Sequence, residues 1–365
     1  MLAGTERHPH ARAVLTAGLP PDGRPSHAYL FHGPAGAGKR EAARAFAAEL
    51  LADGAADPAN ARERVHHGVH PDLTWVTPSG ATEMLVGDID EPVVAAASHT
   101  PFEARRRVFV IERAETMHET SQNRMLKTLE EPAAFAHLIL LSSRPGKLLP
   151  TIVSRCQHVR FDPAPPEALA ATLEAEGLDP ATADAAARLG LGDAERARRA
   201  PGLRPHAEAF ARAALSGDLR DRPWLKLLAQ AKREGDAAQA AVEERVAAEL
   251  ELLPRKERKR AEREGAEAAR RAQRRARTAA LDQALELAGL WFRDAAGVAE
   301  GVPELVHATD RVAELTADAH GRAAHRLRAA VALVDDARAA LILYPSEELL
   351  LEALASRIAR EVAVS

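Results

Sequence analysis

A chain of 365 residues has room for two or three domains, each with a hydrophobic core of its own. The net charge of −4 excludes a globally basic nucleic-acid-binding protein, so any contact with DNA must be local. The lone cysteine, Cys156, excludes a disulfide framework and a cysteine-ligated zinc site. Because no apolar run approaches the length of a membrane span and the first residues lack a signal-peptide core, we expect a cytoplasmic protein.

The first predicted elements lead into a glycine-rich loop. A helix is expected around Ala11–Ala17, and the apolar segment Ala28–His32 predicts a short buried strand. The following loop matches the G-x-x-x-x-G-K pattern, and its candidate phosphate-binding residues are Gly33, Gly36, Gly38 and Lys39. Residues 41–51 then have helix-forming composition. A strand, a glycine loop and a helix in this order predict a P-loop, whose backbone amides and helix N-terminus bind phosphate.

The residue after the lysine departs from this pattern. A nucleotide-driven motor has serine or threonine there, whose hydroxyl binds Mg²⁺. This chain has Arg40. The sequence therefore predicts the fold of a motor with damaged chemistry, and the only cofactor it suggests, ATP with Mg²⁺, is expected to bind weakly or not at all.

Histidines precede the second predicted strand, Leu73–Val76. Two interpretations exist for a group that resembles a ligand set: His66, His67, His70 and Asp72. One is a metal site. The other, which we favour, is a set of surface histidines near a Pro-Asp turn, because nothing else in the sequence converges on them. We therefore predict no metal.

The third predicted strand ends in an acid. Arg107–Glu112 runs from a basic residue through apolar ones to a carboxylate, which is typical of a central strand carrying a Walker B acid. A working motor usually has Asp-Glu there, whereas this chain has Glu112 followed by Arg113. Glu112 is the Walker B candidate, and the alternative is that it merely ends a strand.

Two further strands complete the first predicted domain. A helix over 122–131 is followed by the apolar strand His137–Leu141, which ends at Ser142 and Ser143. Ser143 is a sensor-like candidate facing the P-loop crevice, although such hydroxyls also cap turns. With a last strand at His158–Phe161, the alternation of strands and helices predicts an α/β domain over residues 1–162.

The rest of the chain has a helical, alanine-rich pattern. A proline-rich linker at 163–166 opens a predicted small helical lid, residues 163–204, with about three short helices between 167 and 200. Residues 205–365 are predicted to form an all-helical third domain. Within it, Leu281, Leu285, Ala288 and Phe292 form an apolar stripe at helical spacing, which predicts packing against another element.

One segment of this region is strongly basic. Arg255–Arg277 carries eleven basic and four acidic residues, a local net charge of +7. We favour the solvated face of a long helix, and attraction to the DNA backbone is the alternative. The segment has no aromatic residues for base stacking.

Four blocks of the sequence resemble the clamp-loader branch of the AAA+ ATPases. Two of them are general: the P-loop segment His27–Lys39 and the strand segment Val108–Met117. Two are specific to that branch: Asn123–Pro132 (NRMLKTLEEP) and Leu148–Cys156, with its Ser-Arg-Cys ending. The resemblance is strong over residues 27–162 and weaker beyond them.

The resemblance implies roles for single residues. The arginine of Ser-Arg-Cys is the arginine finger in that family, so Arg155 is expected to reach a γ-phosphate bound by a neighbouring subunit; a local salt bridge is the alternative. Lys39 corresponds to the P-loop lysine and Arg196 to the sensor-2 residue. The zinc module found in many family members has no cysteines here, so no zinc is carried over.

The resemblance also implies a function. The departures at Arg40 and Glu112–Arg113 favour a subunit that acts as a stator, donating Arg155 without hydrolysing ATP itself. Its partners would be the gamma/tau motor subunits, delta, the sliding clamp and, through the complex, primed DNA, in a hetero-pentamer belonging to a nucleoid-associated DNA polymerase holoenzyme. The third domain would be its oligomerisation collar. The alternatives are an active gamma/tau-type ATPase and an AAA+ adaptor outside replication.

Overall fold

Residues 2–20, 23–79, 83–252, 255–343 and 346–363 are described by a computed structural model, with the side chains of 249, 251–252, 255–257, 260, 264 and 342 excepted. The described chain forms two compact units. The first contains the residues up to Pro165 together with Gly192–Ala194, and the second contains Pro166–Leu191 and the residues from Glu195 onwards.

The first unit is built on a parallel sheet. Its five strands are β1 (Ala28–His32), β2 (Leu73–Val76), β3 (Arg107–Ile111), β4 (Ala136–Ser142) and β5 (Gln157–Arg160). They lie in the order β2-β3-β4-β1-β5, and every neighbouring pair is parallel. Parallel strands require crossovers, which the intervening helical segments provide. The predicted α/β domain with a parallel sheet is confirmed.

Both faces of this sheet are buried. Successive strand residues point to opposite faces, so Phe31 and Val110 enter one core with Phe46, while Leu30 and Phe109 enter the other. The helices of this unit are α1 (Pro9–Ala17), α2 (Lys39–Ala52), α3 (Pro58–His66), α4 (Gly87–Ile89), α5 (Glu119–Glu130) and α6 (Pro150–Val153). Burial on both faces explains why the strands read as continuous apolar runs in the sequence.

The described part of the second unit is helical. Its α-helices are α7 (Pro166–Ala175), α8 (Pro180–Leu189), α9 (Ala194–Ser216), α10 (Trp224–Leu252), α11 (Arg255–Ala299), α12 (Val312–Ala319), α13 (Ala324–Ala340) and α14 (Glu347–Glu361). The prediction of an all-helical region after the α/β domain is confirmed. In neither unit does the described chain include a helix with the length and apolarity to cross a membrane.

Helix α9 is longer than the sequence predicts. The expected third short helix instead runs for 23 residues, through Pro201 and Pro205. A proline inside a helix removes a hydrogen bond and costs about 3 kcal/mol or more. Burial of Leu203 and Phe210 on the same helix offsets this cost. The predicted boundary at 204/205 lies within α9, and the division into lid and collar remains a prediction.

Helices α10 and α11 form a long antiparallel hairpin. Two glycines let their backbones approach closely: a Cβ at Gly265 would lie 2.5 Å from Cγ1 of Val246, and one at Gly235 would lie 3.0 Å from the carbonyl oxygen of Gln273. Further along α11, the predicted apolar stripe from Leu281 to Phe292 is buried, so its predicted packing is confirmed.

A buried histidine makes the first unit sensitive to acid. His137 on β4 is 2% exposed; its Nδ1 lies 2.9 Å from the Ser26 carbonyl, and its Nε2 has no hydrogen-bond partner among the described residues. Burial lowers the pKa of His137 to about 4, although the Ser26 contact acts in the opposite direction. The folded state therefore holds this ring neutral, while the unfolded chain takes up its proton near pH 6.5.

We predict that His137 lowers stability as the pH falls from about 6.5 towards 4. Over this window the unfolded chain binds more protons than the folded chain, and the shift corresponds to about 3 kcal/mol of unfolding free energy. Urea unfolding at several pH values would measure it, with His137→Gln as the variant. The native curve should be steeper than that of the variant, and parallel curves would contradict the prediction.

Candidate functional site

The predicted P-loop lies at the carboxyl end of β1. Gly33 and Gly38 have φ values of 144° and 88°, in the region that side chains disfavour. A Cβ at Gly33 would lie 2.0 Å from the Phe161 carbonyl oxygen, so glycine is required there by space as well. Gly36 also has a positive φ, 71°, and Gly38 is the N-cap of α2. The glycines therefore allow the positive-φ conformation of the loop, and Gly38 connects the loop directly to α2.

Lys39 is buried at the start of α2. Its side chain bends back over the loop, and Nζ donates to the carbonyls of Gly33 and Pro34 at 2.5 Å each. Burial lowers the pKa of Lys39 to about 8, and the charges of Glu115 and Asp193 oppose this shift. The lysine still carries its charge at neutral pH, so it can bind a phosphate if it releases the two carbonyls.

Glu112 and Arg40, the two residues that depart from the motor pattern, bind each other. Glu112 follows β3, and its Oε1 lies 2.7 Å from Nε of Arg40. The indole of Trp75 donates to the same oxygen at 2.7 Å. The Glu112 side chain is only 17% exposed, whereas that of Arg40 is 67% exposed. A carboxylate at the predicted Walker B position is therefore already bound by a protein cation.

These residues do not fit a magnesium site. A P-loop ATPase holds Mg²⁺ between the hydroxyl after the lysine and the Walker B acid. Here the hydroxyl is replaced by the guanidinium of Arg40, which repels a second cation near Glu112. Arg113 adds a positive charge instead of the usual second acid, and it has a left-handed backbone with φ 51°. The donor set thus lacks the ligands that the resemblance implies.

A carboxylate that the sequence analysis overlooked lies beside this loop. Ser143, just beyond β4, donates to Oε1 of Glu115 at 2.6 Å. Oε2 of Glu115 is buried and accepts no hydrogen bond from a described residue. Glu115 lies three residues after Glu112, on the short turn Ala114–Thr116. The sequence alone does not pair Glu115 with Ser143, because the two residues are 28 positions apart and only the fold brings them together.

The predicted finger, Arg155, follows the short helix α6. Its neighbours Ile152 and Cys156 are buried and anchor the turn. Nη2 of Arg155 lies 2.7 Å from Oε1 of Glu130, and Nη1 donates to the Thr151 carbonyl at 2.9 Å. The side chain is 36% exposed. Within this chain Arg155 therefore makes a local salt bridge, and its remaining N–H groups are available for another acceptor.

The sheet separates Arg155 from the P-loop. Gly33 follows the carboxyl end of β1, and Arg155 precedes the amino end of its parallel neighbour β5. Their predicted sites thus lie at opposite edges of the sheet, about 13 Å apart along a four-residue strand. The structure brings together the P-loop, Glu112 and Ser143 at one edge, and it presents Arg155 at the other.

Other predicted residues have partners within their own unit. Arg196 belongs to the second unit, on α9, where its guanidinium pairs with Glu286 at 2.8 Å. His70 is buried and accepts from the amide of Asp72 at 3.2 Å. The Asp72 carboxylate accepts backbone amides from Phe102, Glu103 and Ala104, a role in chain folding. Among the described residues, no group of three or more acids, histidines or cysteines is arranged to hold a metal.

We predict that Arg40 decides the response of the P-loop to Mg²⁺. Arg40→Thr removes the guanidinium and supplies the missing hydroxyl, so Mg²⁺ should strengthen binding of an ATP analogue about tenfold or more. In the native chain Mg²⁺ should not strengthen binding. Fluorescence titration with a labelled ATP analogue, in Mg²⁺ or EDTA, measures both.

The double variant Arg40→Thr/Glu112→Gln is the control, since it lacks the acid and should lose the gain. Binding to the native chain that rises with Mg²⁺ would show that the ion pair does not exclude the metal.

Comparison with known proteins points to one family. Residues 11–165 match the family described as DNA polymerase III, delta subunit. The DNA polymerase III subunit delta-prime of Pseudomonas aeruginosa is 40% identical over 136 residues, which are 36% of this chain and 42% of that protein. This first unit is therefore similar to DNA polymerase III delta-prime subunits. The predicted resemblance to clamp-loader subunits is confirmed. The chain spans about half the length of the curated relatives that it matches.

Other relatives include delta-prime and gamma/tau subunits of DNA polymerase III. The delta-prime subunit of Bacillus subtilis is 33% identical over 181 residues, covering 48% of this chain and 54% of the relative. The gamma/tau subunit of Mycobacterium tuberculosis is 34% identical over 190 residues, covering 46% and 30%. A gamma-subunit-related structure from Thermotoga maritima matches 96% of this chain and 99% of its own, with 15% identity and a TM-score of 0.39.

Proposed function

We propose that this chain is the delta-prime subunit of a clamp loader, and that it donates Arg155 to a neighbouring ATPase subunit without hydrolysing ATP itself. Its partners are the gamma/tau and delta subunits, in a cytoplasmic, nucleoid-associated hetero-pentamer that loads the sliding clamp on primed DNA. One observation carries this proposal: the intact finger turn lies at the sheet edge opposite a P-loop that does not fit Mg²⁺.

The position of Arg155 supports action in trans. A finger for the chain's own nucleotide would lie near Gly33–Lys39, but Arg155 lies at the other edge of the sheet. A residue at this edge can meet a nucleotide only if a second subunit presents one. The anchored neighbours Ile152 and Cys156 fix the turn, so little conformational entropy is lost when the guanidinium meets a phosphate.

The salt bridge to Glu130 is compatible with this role. Both side chains are exposed by more than a third, so the pair contributes only about 0–1 kcal/mol. A γ-phosphate carries more negative charge than one carboxylate and can compete for the same guanidinium. Glu130 therefore holds Arg155 in place without preventing its guanidinium from moving to a phosphate.

The Arg40–Glu112 pair supports the loss of hydrolysis. Without a bound metal and a second Walker B acid, neither the γ-phosphate nor the attacking water is oriented. The rival interpretation, an active gamma/tau-type ATPase, would need both. A regulatory AAA+ adaptor outside replication would bind nucleotide tightly and would not copurify with the other loader subunits.

We predict that Arg155→Ala reduces ATP turnover by the reconstituted loader on clamp and primed DNA. In GTPases an arginine donated in trans accelerates hydrolysis about 10³–10⁵-fold at the site that it contacts. Total ATP turnover by the loader should therefore fall by the fraction that this site, and any site coupled to it, contributes. Steady-state phosphate release measures turnover, and size-exclusion chromatography checks assembly.

Arg160→Ala is the matched control for this experiment. Arg160 is an exposed arginine on β5 that pairs with Asp162 at 3.0 Å, so its loss changes the charge equally. Turnover should be near native with this variant. Unchanged turnover with Arg155→Ala in an assembled loader would refute the finger.

A further inference from the structure

Four basic side chains form a stripe on helix α11. They are Lys259, Arg263, Arg270 and Arg274, at spacings of four, seven and four residues. At 100° per residue these positions fall within an arc of about 60°, and the stripe is about 22 Å long. All four are exposed, and the Arg263 side chain is 85% exposed. The stripe belongs to the basic segment Arg255–Arg277, whose role the proposed function leaves unexplained.

The basic side chains of this stripe are poorly neutralised. No described residue forms an ion pair with Lys259, Arg270 or Arg274, and Arg263 has only a long contact of 3.8 Å with Glu267. Several other arginines of the second unit have close carboxylate partners: Arg188–Asp184, Arg198–Glu176, Arg204–Asp310, Arg212–Asp318, Arg220–Asp218, Arg328–Glu300 and Arg338–Asp282. The four stripe side chains thus lack the close carboxylate partners that these arginines have.

This arrangement costs stability. Like charges four residues apart on a helix repel each other by about 0.2–0.5 kcal/mol per pair, and the stripe contains two such pairs. Glu262 and Glu267 flank its edges without interrupting it. On α10, Asp236 and Glu243 accept from Gln273 and Gln239 respectively. A surface of this kind is suited to a ligand with regularly repeated negative charge.

We infer that the stripe binds the phosphate backbone of duplex DNA. The phosphates of a duplex repeat regularly, with one negative charge per about 1.7 Å of helix axis, so a ridge about 22 Å long meets phosphates in any register. Acidic patches on proteins have no such repeat. Without aromatic residues in the segment, the contact would be independent of sequence. The choice of DNA rests on the proposed function, whereas the polyanion site itself does not.

The test is DNA binding by the full chain alone. Fluorescence anisotropy with a labelled duplex would be followed between 50 and 200 mM salt. Three to four phosphate contacts predict a slope of about −2.7 to −3.6 in log K against log salt, which is a loss of about 40- to 150-fold in affinity. The variant Lys259→Gln/Arg270→Gln/Arg274→Gln should flatten the slope to about −1. Its thermal unfolding would verify the fold.

A charge-matched control separates the stripe from net charge. The triple variant Arg198→Gln/Arg220→Gln/Arg328→Gln removes three exposed but paired arginines of the same unit, and its slope should stay near native. Equal weakening by both variants, or a native slope near zero, would overturn the inference. Tighter binding to poly-L-glutamate than to DNA would assign the stripe to an acidic protein and would also overturn it. Because no ATPase subunit is present, these outcomes are independent of the finger.

Discussion

The ion pair between Arg40 and Glu112 is the interaction on which the interpretation of the first unit depends. It joins the first turn of α2 to the end of β3, and Trp75 holds the same carboxylate oxygen. Because Arg40 is 67% exposed, the pair adds little to stability. Its effect is chemical: the Glu112 carboxylate, at the predicted Walker B position, is bound by a side chain that is always charged.

The parallel sheet gives the unit two separate edges. Loops after β1, β3 and β4 meet at the carboxyl edge, where Lys39, Glu112 and Ser143 lie. Arg155 comes before β5 and therefore belongs to the opposite edge. A ring of such units can place the finger edge of one against the nucleotide edge of the next. A change of residues at one edge leaves the geometry of the other edge intact, which is the physical basis of the proposed stator.

Much of the fold of the first unit could be predicted from the sequence. Strands buried on both faces are continuous apolar runs, so Ala28–His32 and Leu73–Val76 were located with their observed bounds. The glycine loop could also be recognised in the sequence, because its backbone conformation requires glycine. Helix α9 was not, since burial of Leu203 and Phe210 outweighs two prolines that usually mark a break. Contacts between residues distant in sequence could not be predicted either, because neither Arg40–Glu112 nor Ser143–Glu115 follows from a local pattern.

The measurement that tests the central claim most directly is a structure of the assembled loader with ADP and beryllium fluoride. The proposed function predicts that the Arg155 guanidinium leaves Glu130 and lies within about 3 Å of the fluoride group bound by a neighbouring subunit. It also predicts that Glu112 of this chain still binds Arg40, with no metal between them. If Arg155 stayed on Glu130 while a different residue contacted the neighbour's fluoride, the account of this chain as the donor of a trans arginine would be wrong.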